Sequence, residues 1–362
     1  MKGKTVKREN RRFIHGAMII NAPAAALNLG EDGIKRVYAK GENGESIRFS
    51  YLSGQFIKAK IREVLKEEGE NLSKPEIIQV SGKKNTPTTS CNPFEYIDDD
   101  LFGYMNVIEQ GNHINPGTTR VAPFKISYFL GKEGDINKDF AVKQNGALDD
   151  DGKLTTMPLD DNNRLFASTT YSGVFSIDVN MVGRFFKGNV AGFKNLAETF
   201  PIDNYNEKIE YKDDSEIVLK KEERQRRLET LLRSFPYLYG GARLTTVYSD
   251  LAPKFIVLCV TDSGNHLFQE ISGIYEHLNV KALIEAVTDY RETLKSDIYI
   301  ALKNGFLDSK RTELLEAIKQ YNNSVNEGQF KFVYNENLSG INDIVKKFTE
   351  EVLPELFKIE GI

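Results

Sequence analysis

The stretch Ile47–Leu65, IRFSYLSGQFIKAKIREVL, decides how the rest of the chain is read. At its start Ile47, Phe49 and Tyr51 alternate with Arg48 and Ser50, and a period of two predicts a short strand. The pattern changes at Ser53-Gly54. Beyond it Ile57, Ile61, Val64 and Leu65 keep the i, i+4, i+7, i+8 spacing of one helix face. Gln55, Lys58, Arg62 and Lys66, at i, i+3, i+7 and i+11, line up on another face. A helix with a core face and a separate basic stripe is therefore expected. Ser53 is placed to cap it, and a helix start offers unpaired backbone amides and partial positive charge to an anion. Nucleic-acid phosphate suits both features, whereas a solvated surface face accounts for the stripe alone.

Upstream, Phe13–Asn21, FIHGAMIIN, is an apolar run suited to a buried strand, and Ala22–Gly33, APAAALNLGEDG, reads as a small-residue turn. The chain thus runs strand, loop, helix. Further along, Ile77–Ser81 is short and β-branched, and Lys83–Asp100, KKNTPTTSCNPFEYIDDD, has no usable period and reads as an irregular insertion. Asp98, Asp99 and Asp100 are hard-cation donors in principle. Adjacent acids in a loop seldom converge on one ion, however, and Asp100 can instead cap the turn into Leu101.

Phe124–Leu130 is expected to be a strand. Gly131–Ala167 is rich in Gly, Asp and Asn, with Asn145-Gly146 and Asp151-Gly152 as hairpin-closing dipeptides. Val174, Ser176, Asp178 and Asn180 alternate with Phe175, Ile177, Val179 and Met181, another half-buried strand. Lys220–Ser234 reads as a helix whose Arg224, Arg226, Arg227 and Arg233 form a salt-bridged surface face with Glu222, Glu223 and Glu229. Phe255–Val260 is a buried strand. Helices are expected near 280–295, 309–323 and 339–357, with short strands at 298–302 and 330–334 between them.

The formal net charge of −4 over 362 residues does not advertise a polyanion partner, so any nucleic-acid site must be a local patch. One candidate is the basic N-terminal arm, where Lys2, Lys4, Lys7, Arg8, Arg11 and Arg12 stand against only Glu9, a run that equally describes a solvated or disordered tail. Cys91 and Cys259 are far apart and match no metal-ligand spacing, which argues against a disulfide framework or zinc site and for a reducing compartment. No apolar run approaches the ~20 residues of a membrane span, and a cytoplasmic location is expected. His15, His113, His266 and His277 are scattered, and no P-loop, dinucleotide fingerprint or Gly-x-Ser-x-Gly is present. No cofactor or metal is expected, and catalysis has no support beyond aspartates in loops.

Five stretches resemble, in order, the Cas-seven family, the large backbone subunit of type I CRISPR surveillance complexes, in its DevR-like, type I-B-like branch. The first pairs Leu27-Asn28, at the end of the first strand, with Ser53, Gln55, Lys58 and Arg62, which match a Ser-x-Gln-x-x-Lys-x-x-x-Arg helix start. The others are Asp100-Leu-Phe-Gly-Tyr-Met105, Arg120-Val-Ala-Pro-Phe-Lys-Ile-Ser127, Ser172–Asp178 and Gly240-Gly-Ala-Arg243. The resemblance covers residues 11 to 262 and implies an α+β fold, a ferredoxin-like or RRM-like palm with large insertions. Residues 1–68 would be the first half of the palm, 69–123 a finger-like insertion, 131–167 a thumb-like β-hairpin, 168–262 the second half of the palm and 263–362 a helical C-terminal part.

It further implies a non-catalytic subunit that binds CRISPR guide RNA, stacks along it with copies of itself and other Cascade subunits, and presents it to target DNA. The RNA-binding residues it points to are Asn28, Ser53, Gln55, Lys58, Arg62, Lys66, Met105, Arg120 and Arg243. Two rival readings are kept. One is target-RNA cleavage by a loop aspartate, as in the type III relatives, for which Asp32 is the acid in place although the glycine-rich pattern is missing. The other is a transcriptional autoregulator, for which no helix-turn-helix signal is seen.

Overall fold

The computed structural model describes residues 10–359 apart from 31–32, 42, 79–85, 108–112, 132–135, 139–141, 149, 159–164, 189–193, 243–247 and 272–276. In chain order, the elements that position the site are β1 (Phe13–Ala25), β2 (Arg36–Lys40), β3 (Ser46–Leu52), α1 (Gly54–Glu67), α2 (Ile97–Phe102), β4 (Tyr104–Asn106), β5 (Thr118–Arg120), β6 (Phe124–Ile126), β7 (Phe129–Gly131), β8 (Val142–Leu148), β9 (Leu154–Pro158), β10 (Leu165–Asp178), α3 (Lys221–Ser234), β11 (Pro253–Thr261), α4 (Val280–Asp289), β12 (Ile298–Leu302), α5 (Asp308–Ser324), β13 (Phe332–Val333) and α6 (Ile341–Glu351). The architecture is mixed α/β, with seven α-helices among the described residues and one large sheet in the order β13-β12-β11-β1-β10-β7-β3-β2. β6 pairs with β10 beside that path. The pairings along it are antiparallel except that of β12 with β13.

β1 lies at the centre, paired on one side with β10 (Ile14 opposite Ile177) and on the other with β11 (Ile14 opposite Val260). Both its faces are covered, which is why FIHGAMIIN lacks the alternation of a half-exposed strand. Ile14, Met18 and Ile20 join Ile57, Ile61 and Leu65 of α1 and Leu228, Leu231 and Leu232 of α3 in one core. Ala17 and Ile19 face a second core built with Leu283 of α4 and Leu314 and Ile318 of α5. Burying the four apolar residues of α1 contributes roughly 1.5–3 kcal/mol each, and this tertiary packing, more than helix propensity, holds the helix in place. Gly16 and Gly173 serve the first core by what they lack. A Cβ on Gly16 would stand 2.3 Å from the Phe175 ring and one on Gly173 2.4 Å from the Phe129 ring, so both rings lie across a strand where only glycine fits.

The periodic segments form the expected elements, including the C-terminal alternation of α4, β12, α5, β13 and α6. Five expectations differ in detail. The small-residue turn begins later, because β1 continues to Ala25, with Ala22 opposite Thr169 and Ala25 opposite Ala167. The strand expected over 124–130 is divided into β6 and β7. β10 stops at Asp178, and Val179–Met181 form a 3-10 turn. Asn145-Gly146 lies inside β8, where the register with β9 is irregular between Gln144 and Leu148; only Asp151-Gly152, with Gly152 at φ 74°, sits where β8 turns into β9. Finally, Lys83–Asp100 is not wholly an irregular excursion, since Phe94, Ile97 and all three aspartates are buried and the last of them belong to α2.

Candidate nucleic-acid interface

α1 starts where β3 ends. Ser53, at φ −70° and ψ 155°, caps it: its Oγ accepts the Phe56 N–H at 3.1 Å. The loop after β1 is clipped to the same place by Asn28, whose Nδ2 donates to the Tyr51 carbonyl at 2.7 Å. Asn28 adopts φ 49°, a left-handed conformation that asparagine tolerates better than most residues. A third segment joins them, since Ala242 N–H donates to Ala26 O at 2.8 Å and Tyr239 Oη pairs with Glu67 of α1. Gly240 and Gly241, at φ 105° and 145°, make this approach possible. Arg243 itself lies outside the described residues.

The basic stripe is not a uniform solvated face. Gln55 and Lys66 are exposed and Arg62 is half-buried, but Lys58 is only 8% exposed. Its ammonium lies 5.5 Å from the ring centre of Phe102 and 5.8 Å from that of Phe124. Among the described residues no carboxylate pairs with it. Burial first, and the neighbouring Arg62 second, lower its pKa to about 8. Arg62 packs over the same Phe102 ring, with Cζ 4.7 Å from its centre, and its Nε donates to Asp98 Oδ2 at 2.8 Å. Two cations thus share one ring, and only one of them has a carboxylate. Periodicity assigned Lys58 and Arg62 to a face; it carried no information about the rings that close over them.

The three adjacent aspartates diverge. Asp98 also accepts the Ser73 N–H at 2.9 Å, while Asp99 accepts the Thr89 hydroxyl at 2.9 Å and the Asn92 N–H at 2.8 Å. Burial, then Asp98, raises the pKa of Asp99 to about 6. Asp100 does not cap a turn. Inside α2 it forms ion pairs with Arg120 and, at 2.7 Å, with Arg227, and accepts the Gly183 N–H at 3.0 Å. Among the described residues no group of three or more His, Cys, Asp or Glu side chains is arranged to hold a metal ion.

Arg120 is the counterpart of Asp100 and not a solvent-facing group. It is 3% exposed, and its guanidinium donates to Asp100 O at 2.9 Å, Arg184 O at 2.9 Å and Met181 O at 2.8 Å besides the Asp100 carboxylate. The surface-face expectation for α3 is likewise corrected for two of its arginines. Arg227 donates to Pro93 O at 2.7 Å, and Arg224 donates to Val182 O at 2.6 Å with its pKa lowered by burial to about 10. Arg226 and Arg233 do pair at the surface, with Glu223 and Glu229. Each buried guanidinium meets backbone carbonyls far away in sequence, which a helical wheel does not reveal.

Met105 stands on β4, opposite Thr119 of β5, and is 67% exposed. Gly103 turns the chain from α2 into β4 at φ 72°, and a Cβ there would lie 2.3 Å from Arg120 O, so the Phe-Gly-x-Met spacing sets where Met105 emerges. Asn28, Ser53 and the start of α1 are therefore brought together, Lys58 and Arg62 converge on Phe102, and Arg120 is held behind them. Phe102 and Phe124 carried no expectation of their own, and Asp98 was weighed only as a hard-cation donor. The only trace of the first is its place in the Asp-Leu-Phe-Gly segment.

This architecture is that of chains found in CRISPR surveillance complexes. A chain of a structure described as a CRISPR RNA-guided surveillance complex, pre-nicking, superposes with a TM-score of 0.55 at 11% identity, covering 93% of this chain and 99% of that one. A chain of a second CRISPR RNA-guided surveillance complex gives 0.51 at 11% identity, with 93% and 98% covered. No curated protein matches the sequence. The family of CRISPR-associated negative auto-regulator DevR/Csa2 matches residues 30–276, and the chain belongs to it. The resemblance carried by Ser53–Arg62 and the later motifs is borne out at that level, and β1 precedes the matched region.

Proposed function

We propose that this protein is a guide-RNA-binding backbone subunit of a Cascade-like surveillance complex, without nuclease activity of its own, working in the cytoplasm. The observation that carries the reading is Lys58, a cation buried against two aromatic rings beside a second cation, with no carboxylate among the described residues to pair with it. A phosphate seated there would relieve the like-charge repulsion and replace part of the lost hydration. Around it, the capped start of α1 with Ser53 and Gln55, the Asn28 loop, Arg62 and Lys66 form the rest of a phosphate-binding face, with Met105 as an apolar contact at its side; the role proposed for Arg243 falls on a residue outside the described ones. Arg120 acts from behind, by fixing Asp100 and so the position of α2 and Phe102. Contacts of this kind hold the RNA by its backbone and leave base edges free to pair with target DNA.

The order β11-β1-β10-β7, with α1 ahead of β6 and β7 and α3 ahead of β11, supports reading the core as a ferredoxin-like β-α-β-β-α-β palm. In this reading 1–68 and 168–262 are its halves, 69–123 is finger-like, 263–362 belongs to the same domain, and the β8/β9 hairpin within 131–167 is the thumb that reaches along the guide to the next copy. Asp32, the acid for the cleavage alternative, lies outside the described residues.

The experiment is purification of the chain expressed with a CRISPR array. A high ratio of absorbance at 260 nm to 280 nm that RNase abolishes, and a loss of bound RNA in Lys58→Met, are expected. Protein that is free of RNA and ignores added guide would overturn the proposal. Periodic Mg²⁺-dependent cuts in complementary RNA, absent in Asp32→Ala, would make it a nuclease.

A further inference from the structure

The sheet face turned away from α1 and α3 is packed by α4 and α5 over β11, β12 and β1. Next to them, over β10, β6, β7 and β3, it forms a groove with a floor of Ala17, Ile19, Ser172 and Val174, Phe49 and Tyr128 at one wall, and a cavity of 120 Å³. The groove continues along β10 into a wider section of 520 Å³ that is flanked by Arg11 and Lys125, Ser127 and Val174 lining both parts. Arg11 and Lys125 are both exposed. They face one acid, Asp178, whose pKa burial raises while the two cations lower it.

The wall is built for a flat ligand. β6 and β7 part at Ser127-Tyr128 while their pairing with β10 is kept. Ser127 N–H donates to Val174 O at 2.9 Å, and Val174 N–H donates to Ser127 Oγ at 2.9 Å. Interrupting a ladder in this way re-aims a side chain, here Tyr128. Its ring stacks on Tyr51 with centres 4.8 Å apart and planes 18° from parallel, yet it stays 55% exposed. One tyrosine backs the other, and the outer ring offers a pre-positioned aromatic surface at the mouth of a groove floored partly by hydroxyls.

We infer that this groove binds a second segment of single-stranded nucleic acid, with a base stacked on Tyr128 and the adjoining backbone phosphate held by Lys125 and Arg11. Base stacking on sheet-borne aromatics, combined with nearby cations, is a sequence-tolerant way to hold a single strand. A hydrophobic protein segment would make no use of two exposed cations that share the single acid Asp178. The site lies on the face opposite α1, so a strand here does not compete with one at Lys58, and the two sites fail separately.

The test uses the full RNase-treated chain and a fluorescein-labelled eight-residue oligouridylate, read by fluorescence anisotropy in a Gln55→Ala, Lys66→Ala background that weakens the α1 site. Tyr128→Ala is expected to weaken binding roughly tenfold, and Tyr128→Trp to restore it. Lys125→Glu is expected to reduce the salt slope by about 0.7. An oligomer carrying 5-iodouridine should crosslink to the peptide containing Tyr128 on irradiation, while affinity for guide RNA in the Tyr128→Ala protein stays within twofold. Unchanged anisotropy in Tyr128→Ala and Lys125→Glu, or an adduct that maps only to α1, would overturn the groove and leave the Lys58 site untouched.

Discussion

At the scale of the residue, stability and binding oppose each other at Lys58. Its folded pKa of about 8 lies below the ordinary 10.5, so between those values the unfolded chain holds more protons and folding stability rises with pH; below pH 8 both states are protonated and the penalty is constant. Lys58→Met is therefore expected to stabilise the RNA-free protein at pH 7 by about 2 kcal/mol, to abolish the rise in stability between pH 8 and 10.5, and to weaken guide binding. Urea unfolding at pH 7 and 10 alongside filter binding checks all three, and a destabilised Met variant would show that the ammonium is already compensated. Asp100 is the contrasting case. Asp100→Ala leaves Arg120 buried without its carboxylate and Arg227 with Glu223 alone, and is expected to cost about 3–5 kcal/mol, read as a fall in the urea midpoint. A loss under 1 kcal/mol would mean that the backbone carbonyls, with Glu223 at Arg227, satisfy both guanidinium groups. Neither role was legible in the sequence. Lys58 was grouped with exposed residues because Phe102 and Phe124, which bury it, follow it at no helical spacing, and Asp98–Asp100 read as a loop because their partners come from α1, β5, α3 and the loop residues Ser73, Thr89 and Asn92.

At the scale of the element, what could be read was whatever repeats with its own period. α1, β1, β10, β11 and the C-terminal helices announce themselves because each has a core face, and Ser53 and Asp151-Gly152 mark a start and a turn by local chemistry alone. The interruption at Ser127-Tyr128 does not, since it depends on a hydroxyl replacing a ladder bond from another strand. The β8/β9 hairpin allows a clean removal. Lys138 pairs with Leu165 just before the excursion returns to β10, so replacing residues 139–164 with Asn-Gly closes a two-residue hairpin at that rung. The shortened protein is expected to melt within a few degrees of the parent while losing regular multimers on guide RNA, as seen by native mass spectrometry. Full-length arrays from it would remove the thumb role.

At the scale of the whole molecule, a net charge of −4 means that the proposed RNA binding would have to rest on a local arrangement and not on the field of the chain. The salt slope of guide binding should then reflect a few phosphate contacts per copy, at about 0.7 each for a single strand. A Lys58→Ala, Lys66→Ala pair is expected to lower it by roughly 1.4 per copy, and an unchanged slope would place the phosphates elsewhere. The central place of β1 has a consequence for biosynthesis. β1 leaves the ribosome before either strand that pairs its two edges, those carrying Ile177 and Val260. At roughly 5–20 residues per second, about ten to fifty seconds pass between Ile14 and Val260. Until Val260 emerges, an apolar ribbon made to be covered on both faces lacks at least one of its two edge neighbours.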